Sequence, residues 1–312
     1  MTRDWAAASA ALAAPAGTGP TGPLSSPSGP SGFQPDGVMS KAAAENFPVA
    51  LRVLPRRYRV HLMAVYRFAR TVDDIGDLAA PGDRLRLLTA IDQDLQRLYE
   101  PAGARRPQDL DPAVAGLADA VAECSIPMQP FADLIRANFQ DQAVTRYATY
   151  QDLLGYCELS ANPVGRIVLQ VFGVSTPERV LLSDSICTGL QIAEHLQDIA
   201  EDYQAGRIYL PADDMHAHGV SEQDLADRSA SPLLRKLVAF ETRRTRMLLD
   251  AGAPLVGTLR GVPRLAIAGY LAGGRATLAA IEAADYDVLA ATPRPGKART
   301  LLSLATAFGA GR

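Results

Sequence analysis

The chain has 312 residues, of which 48% are hydrophobic and only 6% aromatic, and its formal net charge is −3. This length is about twice that of a typical domain yet within reach of one large helical core, and the Ala- and Leu-rich composition favours helix. The absence of a basic surplus excludes a nucleic-acid partner, since nothing would neutralise phosphates. No apolar run approaches the roughly eighteen residues that a membrane span needs.

In chain order, residues 1–40 read as a disordered tail. Ala14 to Asp36 is dominated by Pro, Gly, Ser and Ala and ends in the turn Gln34-Pro35-Asp36-Gly37, which leaves too little to bury. Ala6 to Ala14 has a mild likeness to a signal-peptide core, but Asp4 precedes it and Pro15 and Gly17 cut it short, so secretion is not expected. The folded part is predicted over residues 41–291, followed by a basic tail at 292–312. Helices are predicted over Phe47 to Leu54 and Arg59 to Ile75, with Pro55 opening the connection between them. The next runs from Leu85 to Tyr99, with Asp83 as its N-cap. Breaks fall at Pro101 to Pro112 and at Pro127 and Pro130. Further helices follow at Phe131 to Asp141, Tyr150 to Phe172, Pro177 to Tyr203, Pro232 to Leu255 and Val262 to Ala284. No stretch alternates strictly and no repeat is visible, so a single all-α domain is expected. Cys124, Cys157 and Cys187 are far apart without CxxC spacing. They read as reduced, largely buried thiols in a cytoplasmic protein.

The sharpest local pattern is Arg67-Phe-Ala-Arg70-Thr-Val-Asp73-Asp74-Ile-Gly-Asp77. Residues four apart share a helix face, so Asp73 and Asp77 project together, with Arg70 one turn earlier. Two carboxylates held so close repel, and a hard cation such as Mg²⁺ resolves the repulsion while leaving room for water and phosphate. The second pattern is Gln191-Ile-Ala-Glu194-His-Leu-Gln-Asp198-Ile-Ala-Glu201-Asp202. Glu194, Asp198 and Asp202 fall at successive four-residue steps inside an otherwise apolar run, which is costly without a counter-charge. Across a helical bundle the two patterns would form facing metal walls. Downstream, Arg207-Ile-Tyr209-Leu-Pro211 leaves the helix, and Arg207 and Tyr209 could fold back over the site to hold a diphosphate. His216 and His218 read as solvated loop residues, and His195 as a packed, hydrogen-bonded one.

Together, YRFARTVDDIGD and LQDIAEDYQAGRIYLP resemble the squalene/phytoene synthase family of head-to-head isoprenoid enzymes. Arg146-Tyr147 through Tyr156-Cys157 to Ala161-Asn162-Pro163-Val164-Gly165 resembles that family's third signature. The likeness spans roughly Phe47 to Leu289. It implies an isoprenoid-synthase helical bundle with a central apolar pocket, in which metal-assisted loss of diphosphate leaves a carbocation. By position, Asp73, Asp77, Asp198 and Asp202 would be metal ligands, with Asp74 and Glu201 in support. Arg70, Gln191 and Arg207 would contact diphosphate or metal-bound water, and Tyr66 and Tyr270 would line the site.

Three departures make the chain similar to the hydroxysqualene-forming members of the bacterial hopanoid route. Glu194 and Gln197 stand where the second motif usually has Asn and Arg, Asn162-Pro163 replaces the third signature's Gly and its neighbour, and Phe47 lies where condensing members carry His and Ser. The implied substrate is presqualene diphosphate, supplied by a presqualene diphosphate synthase and captured as a cation by water. A substrate of that character implies peripheral contact with the inner face of the cytoplasmic membrane. Asn162 has two readings, holding the quenching water or merely kinking the helix with Pro163. Glu194 also has two, a metal ligand or a base near that water. A condensing enzyme that joins two farnesyl diphosphates is the alternative activity, and a catalytically inactive binding protein on the same fold is the alternative class.

Overall fold

The computed structural model describes residues 54–101 and 107–294. The calls on the N-terminal tail, on the helix beginning at Phe47 and on the C-terminal tail beyond residue 294 lie outside the described residues. Among the described residues thirteen α-helices follow one another: α1 (Arg56–Leu78), α2 (Arg84–Leu98), α3 (Pro112–Ala115), α4 (Ala118–Cys124), α5 (Met128–Asp141), α6 (Tyr150–Ser160), α7 (Asn162–Val171), α8 (Pro177–Gln197), α9 (Ile199–Gln204), α10 (Ala212–Ala217), α11 (Pro232–Gly252), α12 (Pro254–Thr258) and α13 (Gly261–Ala283). Among the described residues there is no strand, only an isolated parallel bridge between Arg146 and Ile208. No described helix is long and apolar enough to cross a membrane.

The prolines explain where expectation and structure part. Pro130 lies in the first turn of α5, where a missing N–H costs nothing, so that helix begins at Met128 rather than after the proline. The helix expected from Tyr150 to Phe172 is two, broken at Ala161 (φ −114°, ψ −50°), because Pro163 has no N–H to continue the ladder. The run from Pro177 also divides. Asp198 leaves helical geometry (φ −106°, ψ 18°) between α8 and α9, although its N–H still reaches Glu194 O at 3.0 Å and Asp202 N–H reaches Asp198 O at 2.8 Å. Pro254 splits α12 from α11 in the same way. Asp83 occupies the N-cap position of α2 but does not cap it; its carboxylate accepts from Arg86 Nη2 at 2.9 Å instead.

α8 is the central column, packed by α7, α11 and α13. A Cβ at Gly252 would lie 2.6 Å from Leu182 O, and one at Gly189 would lie 2.7 Å from Leu249 Cδ2. The pairing of these positions makes α11 antiparallel to α8 and brings the two backbones close. On the other side, α1, α2 and α5 share a core in which Phe68 and Phe131 meet edge to face, 5.3 Å between centroids. All three cysteines are free, with Cys157 buried and Cys124 and Cys187 half-buried. Burial pushes the Cys157 and Cys187 thiols up to about 12, so they behave as apolar fillers rather than nucleophiles.

Candidate active site

The first acidic wall is the C-terminal end of α1. Arg70 Nη2 lies 2.6 Å from Asp74 Oδ1, and Asp74 is nearly buried. Asp74 is thus the internal anchor of Arg70, while Asp73 and Asp77 remain exposed. Asp73 is reachable by solvent but crowded by protein on its other sides. That crowding, with the charge of Asp77, outweighs the 3.0 Å hydrogen bond from Asn138 Nδ2 and raises its pKa to about 6. The end of α1 is held by side chains from neighbouring elements. Arg84 donates to Asp77 O at 2.8 Å and to Ala79 O at 2.9 Å, and Gln142 donates to Gly76 O at 3.2 Å. A Cβ at Gly76 would run into Asn138 Oδ1 and push that side chain aside.

The second wall is the α8–α9 junction. Asp198 sits at the break itself, and burial beside Glu194, Glu201 and Asp202 raises its pKa to about 6. Glu194 and Glu201 are exposed and Asp202 is half-buried. His195 is packed as expected, its ring stacked on Tyr209 at 3.7 Å and its Nε2 3.1 Å from Gln191 Nε2. Its Nδ1 also stands 3.7 Å from Asp202 Oδ2, so it reaches the acidic motif that the sequence set it apart from. Gln191 therefore orients His195. Gln197, which replaces the family's usual Arg, donates to Pro293 O, and Thr292 donates to Glu201 at 3.3 Å.

The two walls meet through Arg207. Its Nη2 lies 2.9 Å from Asp77 Oδ1, and its N–H donates to Asp202 O at 2.8 Å, joining the segment after α9 to the end of α1. Tyr209 is buried in an aromatic group with Tyr147, Tyr156 and His195. Here the structure adds residues that sequence reasoning missed. Tyr156 donates to Asp141 Oδ2 at 2.9 Å, and burial raises the Asp141 pKa to about 6 against the pull of Tyr156 and Arg207. Asp141 belongs to no acidic pattern in the sequence; only its place beside the third signature would have drawn attention to it. His218 corrects an expectation. It ends the short helix α10 with its Nδ1 2.8 Å from Asp214 O and its ring 5.2 Å from Phe240, whereas His216 is exposed.

Deeper along α8, Thr188 donates to Asn162 Oδ1 at 2.9 Å, with both residues buried. Asn162 also begins α7 immediately after the break, so it satisfies the kink reading while presenting a buried amide. Tyr66 is buried on α1 about two turns before Asp73. Tyr270 is half-buried on α13, near enough to Cys187 to be perturbed by it, and burial raises its pKa.

The donors on the two walls are oxygen atoms, as Mg²⁺ requires. Asp202 Oδ2 and Asp141 Oδ1 are buried without a hydrogen-bond donor among the described residues. Among those residues, no group of three or more His, Cys, Asp or Glu is close enough to hold a metal by itself. That arrangement fits an ion that takes one or two carboxylates and completes its shell with water and substrate phosphate.

The family model described as squalene/phytoene synthase matches residues 40–303. The hydroxysqualene synthase of Rhodopseudomonas palustris is 37% identical over 219 residues, covering 69% of this chain and 72% of its own. That of Zymomonas mobilis is 37% identical over 212 residues, covering 66% of this chain and 67% of its own. Among solved structures, squalene synthase HpnC from Alicyclobacillus acidocaldarius superposes with a TM-score of 0.71 at 39% identity, over 80% of this chain and 95% of that one. A dehydrosqualene synthase shares the fold with a TM-score of 0.73 at 23% identity, over 88% of this chain and 95% of that one. With the acidic walls and the third signature in place, the chain belongs to the squalene/phytoene synthase family, whose members act on isoprenoid diphosphates.

Proposed function

We propose that the protein is a Mg²⁺-dependent hydroxysqualene synthase, converting presqualene diphosphate and water to hydroxysqualene and diphosphate. The observation that carries the reading is Arg207, which follows the second acidic motif and pairs with Asp77 of the first, in a chain similar to two proteins named hydroxysqualene synthase. Asp73, Asp77, Asp198, Asp202 and Glu194 would hold Mg²⁺ ions, one or two carboxylates to each, and the bound metal would supply Lewis-acid stabilisation of the leaving diphosphate. Arg207 spans the mouth of the site and suits a bidentate phosphate contact. Arg70, paired with Asp74, would contact the diphosphate, and its charge works against the rise in the Asp73 pKa. Tyr209 and Gln191 hold His195 against the second wall.

The reaction breaks the carbon–oxygen bond to diphosphate, rearranges the cation, and forms a carbon–oxygen bond to water with loss of one proton. Asn162, its oxygen fixed by Thr188, leaves its amide nitrogen to orient that water. Tyr66 and Tyr270 contribute aromatic wall to the apolar side of the site. A presqualene diphosphate synthase would supply the substrate, and a substrate of this apolar character is reached by peripheral contact with the membrane.

The test is incubation of the purified protein with Mg²⁺ and presqualene diphosphate, with farnesyl diphosphate and Asp73→Ala protein run beside it. Hydroxysqualene from presqualene diphosphate alone, absent with Asp73→Ala, is the expected result. Accumulation of presqualene diphosphate from farnesyl diphosphate would instead identify a condensing enzyme.

A further inference from the structure

The segment that carries Arg207 and Tyr209 is short and irregular, and the structure shows what keeps it in place. Its backbone zips onto the segment before α6: Ile208 N–H donates to Thr145 O at 2.9 Å, Ala212 N–H to Tyr147 O at 2.9 Å, and Asp213 N–H to Ala148 O at 3.0 Å. Three such bonds between the two segments do not make a sheet and give little rigidity by themselves. At one end Arg146 adds bonds to Gly206 O at 2.7 Å and to both oxygens of Glu222, all on the surface. The other end is buried.

There, Arg244 of α11 gathers four partners, one of them the Phe240 ring of its own helix at 5.0 Å. Its Nη2 lies 2.6 Å from Asp214 Oδ2 on α10 and 2.6 Å from Glu241 Oε1, and its guanidinium carbon stands 3.4 Å over the centre of the Tyr150 ring at the start of α6. Glu241 is 1% exposed, so this is an interior cluster of charges, the kind whose geometry is strongly coupled and costly to leave half-made. Arg244 therefore ties α10 and α6, the two elements that follow the zipped segments, to the long rigid α11. Glu241 also borders, with Tyr209, His195 and Pro211, a cavity of about 10 Å³ under the segment, so the cluster and the aromatic stack share a floor. Neither the acidic motifs nor the third signature includes Asp214, Glu241 or Arg244.

We propose that Arg244, through Asp214, Glu241 and Tyr150, is a positioning residue for diphosphate binding: it fixes the Arg207–Asp214 segment so that Arg207 stands across the acidic walls. The inference rests on the reading of Arg207 as a diphosphate contact. Its effect is on binding geometry, with no contact between Arg244 and the reacting atoms.

The experiment measures binding of inorganic diphosphate with Mg²⁺ to the full chain by calorimetry, for Asp214→Ala, Asp214→Asn, Arg207→Ala and the Asp214→Ala/Arg207→Ala double variant, with Tm recorded for each. Asp214 is the better handle than Arg244, because it is partly exposed and its loss leaves the Glu241–Arg244 pair intact. Asp214→Ala is expected to weaken diphosphate binding about tenfold, and Asp214→Asn, which keeps an acceptor oxygen, about threefold or less. The double variant should be no weaker than Arg207→Ala alone, since both changes act through one contact. In turnover the loss should appear in KM with kcat within about threefold. If Asp214→Ala lowers Tm but leaves diphosphate binding within twofold while Arg207→Ala weakens it, the cluster is only structural and the inference fails. If Arg207→Ala itself has no effect, the reading beneath it fails as well.

Discussion

Asp198→Asn is expected to make the metal-free protein more stable. Asp198 stands at the helix break beside Glu194, Glu201 and Asp202, and its pKa is raised from 3.8 to about 6. Between those values the folded state holds a proton that the unfolded chain has lost, so stability contributed by this group falls as pH rises through the window and levels off above 6. At about 1.4 kcal/mol per unit, the cost of the ionised carboxylate at pH 8 is at most about 3 kcal/mol. Asp198 is partly exposed, and solvent screening reduces the figure to about 1–2 kcal/mol. Urea unfolding of wild type and Asp198→Asn in chelator, at pH 8 and pH 4.5, measures it. The variant should be the more stable at pH 8, and the gap should shrink to about a third at pH 4.5, where the native carboxyl is already protonated. Adding Mg²⁺ with inorganic diphosphate should stabilise the wild type more than the variant. Equal stability of the two proteins at pH 8 would refute the argument that this wall carries unbalanced charge.

Three further outcomes follow from the same geometry. Because Asp73 and Asp198 both titrate near 6, Mg²⁺-diphosphate affinity should fall steeply below pH 6, approaching a hundredfold per unit; calorimetry in buffers of different ionisation enthalpy should find proton release on binding at pH 5.5 and almost none at pH 8. Asn162→Gly should lower the share of hydroxysqualene among the products of presqualene diphosphate, read by gas chromatography; an unchanged ratio would leave Asn162 only as the start of α7. Gly76→Ala should cost about 1–3 kcal/mol in unfolding measurements and weaken Mg²⁺ binding, because the added methyl displaces the Asn138 amide from Asp73.

The fold was legible where one physical cause dominated. The helical pattern and the composition announced an all-α chain, and the long helices α1, α2 and α13 lie close to where the pattern placed them, while α8 and α11 start as expected but end early. The breaks were harder, because they are settled by competition. Pro130 and Pro163 lie near helix starts, where proline is tolerated, and which residue becomes the first helical one depends on packing as well as on the ring. At Asp198 no proline intervenes at all. The helix parts within a crowd of carboxylates whose mutual repulsion a regular stripe would concentrate, and nothing in the residue pattern marks the position.

The candidate site divides along a similar line. Residues at helical spacing declared themselves, since Asp73 with Asp77 and Glu194 with Asp198 and Asp202 are neighbours within one stretch of chain. Arg70 shows the limit of that reasoning: Asp73 and Asp74 are both within one turn of it, and only the burial of Asp74 decides which one it pairs with. Asp141, Asn138 and Arg244 were illegible because each owes its role to partners from remote parts of the chain. They share a function in the architecture. The acids that face solvent are few and locally encoded, while the groups that hold them, from Arg84 and Gln142 under α1 to Arg244 under the Arg207 segment, come from elsewhere in the bundle. A site made of mutually repelling carboxylates needs that external scaffold, since its own members give it no cohesion until a cation arrives.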